Sequence, residues 1–492
     1  MRNYLARKIC LLVASVLLGI DALGVMSAQA GITVTQKWPM GAGACVDTPL
    51  RLTFTGPVFL GSAGKIVVYR ASDHAVADTL DLAAGSFTEV FGEAKQVVPP
   101  AVPGNGAPGN FAPAARVLRI DPIVIDGNNA VIHLHLRTLH YGERYLVIID
   151  PLVFLDAQGQ PFPGVTGNDD WTFTVRPARS QSLARRVVAA DGTGDFCTVQ
   201  GAVDDIPTPN TQPAIVFIKA GTYDGLVRVG KNQDHVSFVG EDRKKTILTG
   251  LNNERWNTSV SARAVVGVEG DDFVMQNLTV RNRTPYKGSQ AETVWINADR
   301  CVLRDDDFYS HQDTLCLNGR VYVTDCYIEG DVDFIWGYGS VFLNRCDVHA
   351  VHDGYFVQAR NPVGKPGYIF FQCKLTCADE VKTCVLGRVA PETYPASQVA
   401  YLHCSMGPGI PPEGWQYDAP KGVIETKVVA GPQLQFEEYQ SIDLQDRPVD
   451  VSHRLAGSKQ LSDAEAAALS EPAKVLGGTD QWNPVAEGDA KP

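Results

Sequence analysis

From residue 186 onwards, short apolar segments rich in β-formers follow one another, at residues 214–218, 235–239, 273–280, 301–303, 321–323 and 341–343. No helical pattern long enough for repeated βαβ units lies between them, and hairpin turns that would support a second sandwich are absent. A strand–turn unit repeated about every 20 to 35 residues is typical of a solenoid. The sequence therefore predicts a right-handed parallel β-helix over 186–485. A capping box at Ser462 and Glu465 predicts a short helix over 463–469 that covers an end or flank of it.

The segment before this solenoid has a different pattern. Between residues 31 and 178, short strands without helices are predicted at 50–54, 66–69, 131–137, 145–149 and 171–176, and a long Pro/Gly-rich loop at 99–113. In 131–137 and 171–176 apolar and polar residues alternate with period two, which indicates one buried and one solvated face. This pattern predicts an antiparallel β-sandwich resembling an immunoglobulin-like module, which we interpret as a spacer that presents the second domain. A polar linker at 176–186 separates the two, and the chain is expected to be all-β, with a polar tail at 486–492.

The first thirty residues have the pattern of a secretory signal peptide. Arg2, Arg7 and Lys8 precede an apolar run at 9–20, and the small residues Ala28 and Ala30 form a cleavage site. Since Asp21 interrupts the run, it is short for a membrane span. We expect a secreted or periplasmic protein with no membrane anchor after cleavage, and a monomer. The net charge of −12 argues against a nucleic-acid partner.

Ten cysteines follow the signal peptide. Cys377 and Cys384 are the nearest candidates for a disulfide in an oxidising compartment. The series Cys301, Cys326, Cys346, Cys373 and Cys404 recurs near coil spacing and predicts small side chains stacked inside the solenoid. No C-x-x-C spacing occurs, so neither a metal nor another cofactor is expected.

Polar residues also recur at coil spacing. Gln290 and Gln312 are 22 residues apart, and Asp313 and Asp333 are 20 apart. Residues one coil apart stack about 4.7–4.9 Å from each other, so these four could form one cluster, with Arg388 reaching it from a later coil. One carboxylate could attack an ester carbonyl, two amides could stabilise the oxyanion, and a protonated second carboxyl could serve the leaving alcohol. Polar ladders without function are also common in solenoids, so the spacing leaves both interpretations open.

The residues around this cluster resemble the signature motifs of pectin methylesterases. The matching runs are 312–315, 327–337, Gln290 with Ala291, and Leu386-Gly387-Arg388, and further similarity at 188–203, 219–223, 412–415 and 475–484 extends over about residues 186 to 485. The resemblance implies Asp333 as nucleophile and Asp313 as general acid and then base. It also implies Gln290 and Gln312 as the oxyanion hole and Arg388 as the residue that orients Asp333. The implied partner is pectin or a related esterified polysaccharide.

Aromatic side chains suit sugar rings. We expect substrate contacts from Trp336, Tyr309, Phe356 and Trp415, and the further candidates for the groove are Tyr286, Trp295, His311, Tyr338 and Tyr355.

This sequence also departs from the motifs of that family. Val389-Ala390 stands where Pro-Trp normally follows the arginine, so a stacking tryptophan is missing, for which Trp415 or Tyr394 could compensate. Asp331 replaces a usual threonine and is expected to point to solvent rather than to the site. These changes leave the chemistry intact but bear on the substrate.

Three other functions are compatible with parts of the pattern. Paired acids could cleave a glycosidic bond, but the residue arrangements of β-helix polygalacturonases are not found here. The same site could hydrolyse another ester or a thioester. A non-catalytic polysaccharide-binding surface protein would not need the two aspartates, two glutamines and arginine together.

Overall fold

The computed structural model describes residues 31–92, 117–180, 183–418 and 433–485. The predicted signal peptide, the loop at 99–113 and the polar tail at 486–492 lie outside the described residues. The segment Ile32–Pro492 forms one compact unit. In the described part of the chain, every helix is too short or too polar to cross a membrane.

A parallel β-helix forms the larger part of this unit, as predicted. The coils contribute strands to three sheets, in which the described residues supply eleven, nine and six strands. The eleven-stranded sheet comprises Arg185–Val188, Ala214–Ile218, Val236–Gly240, Val274–Gln276, Cys301–Arg304, Arg320–Thr324, Ser340–Asn344, Tyr368–Phe371, Gln398–Leu402, Gln435–Tyr439 and Lys459–Gln460. The nine-stranded sheet comprises Gly221–Asp224, Thr246–Gly250, Thr279–Asn282, Asp307–Tyr309, Tyr327–Gly330, Asp347–Ala350, Lys374–Cys377, Ser405–Met406 and Ile442–Asp443. The six-stranded sheet comprises Val227–Val229, Val266–Val268, Val294–Ile296, Leu315–Leu317, Ile335–Gly337 and Val357–Ala359.

Two short strand pairs follow the six-stranded sheet. They join Gly354–Tyr355 to Cys384–Val385, and Gly387–Val389 to Trp415–Tyr417. Strands of only two to five residues suffice because each is hydrogen-bonded in register to the coil before and the coil after it. Leu303, for example, pairs with Val323, which pairs with Leu343. These three side chains are fully buried in the core that fills the helix.

The corner between the eleven- and nine-stranded sheets is a two-residue turn repeated in successive coils. Its first residue has a positive φ, between 50° and 57° at Asp325, Arg345, Gln372 and His403. The second residue points inward and is buried, and these second residues are Cys326, Cys346, Cys373 and Cys404. We call this turn, with its equivalent at Asp305-Asp306, the cysteine corner. The predicted stacking of thiols is confirmed for these four residues.

One prediction about cysteine and one about a strand are wrong. Cys301 is fully buried in the core of the solenoid, as expected, although it lies within a strand of the eleven-stranded sheet and outside the corner. All ten described cysteines are free, so Cys377 and Cys384 form no disulfide. The run at 273–280, predicted as one strand, is two strands separated by a turn at Asn277, whose φ is 60°.

The N-terminal part is a sandwich of two sheets around its own core. One sheet has the order Val34–Trp38, Leu50–Phe54, Asn129–Ile132, Ile123–Asp126 and is antiparallel. The other has the order Gly41–Ala44, Thr172–Val175, Arg144–Ile149, Lys65–Arg70, Val76–Asp81, with one parallel pair at its start. Further short elements are the strand pairs Phe59–Leu60 with Phe154–Leu155 and Phe87–Val90 with Val117–Ile120, and the 3₁₀ turns Leu82–Ala84 and Pro151–Val153. The likeness to an immunoglobulin module and the domain boundaries stay predictions.

The strand predicted at 131–137 ends earlier than its alternating pattern suggested. It stops at Ile132, and Arg137 has a φ of 62°. The backbone N–H of His135 donates to the Asp78 carboxylate at 2.8 Å rather than to a neighbouring strand. The alternating sequence pattern therefore extends beyond the end of the strand. In this extension the backbone N–H of His135 is hydrogen-bonded to a side chain and not to a neighbouring strand.

One of the contacts that attach the sandwich to the first coil is made by an aspartate. The Asp47 carboxylate accepts hydrogen bonds from the backbone N–H groups of Cys197 and Thr198, at 3.0 and 2.7 Å, and from the Thr198 hydroxyl at 2.7 Å. Thr198 is also the N-cap of helix α1, Val199–Asp204. An acid placed at a helix N-terminus is favourable, so this contact fixes the sandwich to the N-terminal end of the solenoid.

Helices α2, Asp463–Leu469, and α3, Pro472–Leu476, follow the last coil. The capping box at Ser462 and Glu465 is present, and the predicted bounds of α2 are confirmed. Ala466, Val475 and Leu476 pack on the outer face of the eleven-stranded sheet, against Phe342 and its neighbours. The helices therefore cover a flank of the solenoid.

Candidate active site

The two glutamines and two aspartates of the predicted site lie away from the cysteine corner. They lie at the corner where the chain passes from the nine- to the six-stranded sheet. We call the connections 283–293, 310–314 and 331–334 the acidic corner. Successive connections pair through the backbone: the Ala291 N–H donates to the Gln312 carbonyl at 3.0 Å, and the Asp313 N–H donates to the Val332 carbonyl at 3.0 Å. Gln290, Gln312, Asp313 and Asp333 therefore come from adjacent coils.

Asp333 is held by Arg388. Asp333 is 5% exposed, and its backbone φ is 51°. Arg388 donates from Nε to Oδ1 at 2.7 Å and from one terminal nitrogen to Oδ2, which is a two-pronged pairing. Burial lowers the pKa of Arg388, but the hydrogen bonds and charge of Asp333 outweigh it and the net pKa is raised. The guanidinium also lies over the Tyr355 ring, 4.3 Å from its centroid. Such a fork fixes both carboxylate oxygens in one orientation.

Asp313 has a different neighbourhood. It is 6% exposed, and Arg263 donates to its Oδ2 at 2.8 Å. The same guanidinium binds the fully buried Glu292, with Nε at 2.8 and 2.9 Å from the two carboxylate oxygens. One buried cation thus faces two buried carboxyl groups, so full ionisation would leave a net negative charge away from water, which is costly.

The pKa of Asp313 is accordingly raised well above its ordinary value. Burial is the main cause, the charges of Glu292 and Asp333 add to it, and the Arg263 guanidinium opposes it. Burial likewise raises the pKa of Glu292 against the effect of Arg263. The structure therefore favours a protonated Asp313 beside Asp333, the arrangement that an acid and a nucleophile require.

Sequence reasoning missed Arg263 and Glu292. Glu292 lies two residues after Gln290, so coil alternation could have suggested it. Arg263 lies in the connection between Gly250 and Val266, whose length breaks the coil spacing, and no sequence signal pointed to it.

The two glutamines lie beside the acids and are half-buried. Gln290 Oε1 accepts a hydrogen bond from the Ser289 hydroxyl at 2.8 Å, which leaves its amide N–H₂ group as a donor for other partners. The Gln312 backbone carbonyl bonds to the preceding coil. Their part in an oxyanion hole stays a prediction.

Aromatic side chains gather around the Arg360 guanidinium along the six-stranded sheet. Trp336 is 2% exposed, and the Arg360 guanidinium lies 4.5 Å from the centroid of its ring. Arg360 also lies near Tyr338 and Tyr394, whose hydroxyls are 3.5 Å apart. A substrate at Trp336 would therefore meet Arg360 first. Tyr309 lies on the nine-stranded sheet against Arg281, and its contact with substrate stays a prediction.

Two of the predicted substrate contacts are wrong. Phe356 is fully buried and packs against Phe334, and Trp415 is 2% exposed and stacks on Phe436 inside the helix. A one-residue error along a strand moves a side chain from one face to the other. The neighbours of these two residues, Tyr355 and Gln416, lie on the outer face, and their side chains approach to 3.4 Å.

Asp331 does not point to solvent. It is 2% exposed, and its Oδ2 lies 3.4 Å from Nδ1 of His311 and 3.3 Å from Nδ1 of His352. His352 was not identified from the sequence, although positions 311, 331 and 352 are each separated by the length of about one coil.

Comparisons with known proteins agree with this architecture. The family model described as Pectinesterase matches residues 185–435. Pectinesterase 31 of Arabidopsis thaliana is 34% identical over 220 residues, which is 41% of this chain and 68% of the relative. Pectinesterase 2 of Olea europaea is 33% identical over 291 residues, covering 56% of this chain and 74% of the relative.

Solved structures give the same result. Pectin methylesterase from carrot superimposes with a TM-score of 0.54 at 25% identity, over 62% of this chain and 96% of that one. The enzyme from Aspergillus niger gives 0.52 at 25% identity, over 61% and 95%. With its parallel β-helix, its paired aspartates and these matches, the chain belongs to the pectinesterase family of carboxylic ester hydrolases.

Proposed function

We propose that this chain hydrolyses the methyl esters of pectin and releases methanol, with Asp333 as the nucleophile. The observation that carries this proposal is the contrast between two buried aspartates at one corner. Arg388 holds Asp333 through both oxygens, while the pKa of Asp313 is raised well above its ordinary value. One acid is thus suited to attack and the other to donate a proton.

In the first half-reaction, the Asp333 carboxylate attacks the ester carbonyl carbon. The oxyanion that forms accepts hydrogen bonds from the side-chain amides of Gln290 and Gln312. When the tetrahedral intermediate collapses, the C–O bond to the methoxy group breaks and Asp313 gives its proton to the leaving oxygen. Methanol departs, and an anhydride joins the substrate acyl group to Asp333.

In the second half-reaction, the ionised Asp313 takes a proton from water, whose oxygen attacks the acyl carbon of the anhydride. Collapse returns Asp333 as a carboxylate paired with Arg388 and leaves Asp313 protonated. The product carboxylic acid loses its proton to solvent. Both aspartates therefore end the cycle in the state in which they began it.

The substrate is proposed to lie along the six-stranded sheet, over Trp336 and Arg360. Arg360 would meet the free carboxylates of a partly de-esterified polymer, and Tyr338 and Tyr394 would contact sugar rings. Export through the N-terminal signal would bring the enzyme to such a polymer. We infer a monomer in which the sandwich carries the β-helix without taking part in the chemistry.

The test is methanol release from highly methylated pectin by the wild type and by Asp333→Ala. We expect the variant to lose activity by at least about 10³-fold, because removal of a nucleophile leaves only binding and oxyanion stabilisation. Circular dichroism and the unfolding midpoint would confirm that the variant folds. An unchanged rate of release would contradict the mechanism. Parallel assays with small acyl esters and a thioester would show whether the polymer is the preferred substrate.

A further inference from the structure

Three side chains outside the proposed ester chemistry form a compact group at the acidic corner and on the next coil. They are His311, Asp331 and His352, which come from three successive coils. Nδ1 of each histidine faces Oδ2 of the aspartate, at 3.4 Å for His311 and 3.3 Å for His352. All three potential ligand atoms lie within 4.8 Å of one another.

The hydrogen bonding of this group is incomplete. Asp331 is 2% exposed, and its Oδ1 accepts from the backbone N–H of Val332 at 2.6 Å. Nδ1 of His311 and Nδ1 of His352 are buried and have no hydrogen-bond partner among the described residues. Buried polar atoms are costly unless something satisfies them. Two ring nitrogens and a carboxylate oxygen converging in this way need a shared partner.

The distances fit a metal ion. Zn²⁺ binds imidazole nitrogen and carboxylate oxygen at about 2.0–2.2 Å with tetrahedral geometry, which places neighbouring ligand atoms about 3.3–3.5 Å apart. The two distances measured from Asp331 Oδ2 lie in that range. Two imidazoles and one carboxylate are also a ligand set that suits zinc and its neighbours in the first transition row.

The His352 ring is held in place. Tyr286, from the connection three coils earlier, stacks on it with ring centroids 3.6 Å apart and an angle of 10° between the planes. The Tyr286 ring also lies 5.6 Å from that of His311. Rings fixed by packing lose little freedom when they bind a metal, so the site is organised in advance.

We propose that His311, Asp331 and His352 bind one divalent transition-metal ion of the zinc class. The ion joins three successive coils, and the two that belong to the acidic corner carry Gln312, Asp313 and Asp333 close to the ligands. Its role is to stabilise the stacking of these connections, and the ester chemistry proceeds on Asp313 and Asp333 without it. The same group could instead be satisfied by protonated imidazoles paired with Asp331, and the experiment below separates the two.

The experiment titrates Zn²⁺ into protein without a polyhistidine tag after dialysis against a chelator. Calorimetry and elemental analysis give the affinity and the number of ions, and Co²⁺ supplies an absorption spectrum that reports nitrogen and oxygen ligands. For the wild type we expect about one ion per chain and a raised unfolding midpoint with metal, since binding to the folded state alone stabilises it. For His352→Ala and Asp331→Asn we expect affinity reduced by at least about 100-fold, since loss of a residue that only supports a ligand already costs about 10–100-fold.

His453→Ala is the matched control, since it removes an exposed histidine elsewhere and should bind as the wild type does. Methanol release by His352→Ala and Asp331→Asn would show that they are folded. No stoichiometric binding by the wild type, or equal binding by the wild type and His352→Ala, would overturn the proposal in favour of protonated imidazoles. Because binding is measured directly, a failure here is distinct from a failure of the ester mechanism.

Discussion

The cysteine corner and the acidic corner have the same backbone construction, yet they hold different kinds of side chain. In both, successive coils are hydrogen-bonded in register, and residues with positive φ turn the chain, at Asp325 in one and at Asp313 and Asp333 in the other. The cysteine corner points one small, buried thiol inward per coil. The acidic corner buries carboxyl groups together with the guanidinium groups that offset their charge.

The comparison shows how a solenoid separates stability from function. A regular two-residue turn repeats one environment, so its inward position accepts one type of small side chain. The connections of the acidic corner differ in length, from four residues at 331–334 to a longer one at 283–293. Irregular length permits Arg263 to reach Asp313 and Glu292 from an earlier coil, and it places one guanidinium between two buried carboxyl groups.

The largest expected effect compares two aspartates, one from each corner. The pKa values of Asp313 and Asp306 are both raised well above the ordinary value, with burial as the main cause. Asp313→Asn should lower kcat for methanol release by about 10²–10⁴-fold, because the amide cannot transfer a proton. Asp306→Asn should leave kcat within about twofold of the wild-type value, since the cysteine corner takes no part in the reaction. If the two substitutions had equal effects on kcat, the functional distinction between the corners would be lost.

A smaller effect is expected from Glu292, which acts through Arg263 rather than on the substrate. Its charge raises the pKa of Asp313, and it also shares the Arg263 guanidinium with that residue. Glu292→Gln removes the negative charge of Glu292, and the Arg263 guanidinium then pairs with Asp313 alone. Both changes lower the pKa of Asp313. Because activity needs protonated Asp313, the alkaline limb of the kcat profile should move to lower pH.

The control for this substitution is Glu437→Gln. Glu437 is also a buried glutamate with a raised pKa, mainly through burial, but it bonds to Gln398 away from the site. Its substitution should leave the pH profile in place. A profile for Glu292→Gln that did not move, or that moved to higher pH, would show that Asp313 is not the group that limits activity at alkaline pH.

Much of the β-helix was predictable because its register is a property of the coil. Spacings of 20 and 22 residues were enough to place Gln290, Gln312, Asp313 and Asp333 on adjacent coils, since each coil returns the chain to the same corner. The bounds of Ala214–Ile218 and of α2 were also predicted without error. Here local pattern and overall fold specify the same structure.

The errors arose where local pattern carries less information. Strands of two or three residues, such as Gly354–Tyr355, offer too few alternations to decide which side chain faces out, so the pattern did not separate the outward Tyr355 from the buried Phe356. Arg263 could not be found from spacing because its connection is longer than a coil turn requires. The expectation that Asp331 points to solvent was wrong because its neighbour His352 was not recognised from the sequence.

The smallest expected effect belongs to the cysteine corner. Cys346 is fully buried, and its Sγ lies 3.5 Å from the Asn344 carbonyl and 3.7 Å from that of Val323. Cys346→Ala removes one buried atom from a stacked row and should lower the free energy of unfolding by about 1 kcal/mol, as for other small deletions from a core. In a chain of this size that corresponds to a midpoint lowered by about 1 to 2 °C in calorimetry. Cys377→Ala, at a half-buried position outside the corner, should cost less. Methanol release should be unchanged in both, because neither thiol contacts the acidic corner, and a loss of activity in Cys346→Ala would mean that the two corners are coupled through the core between them.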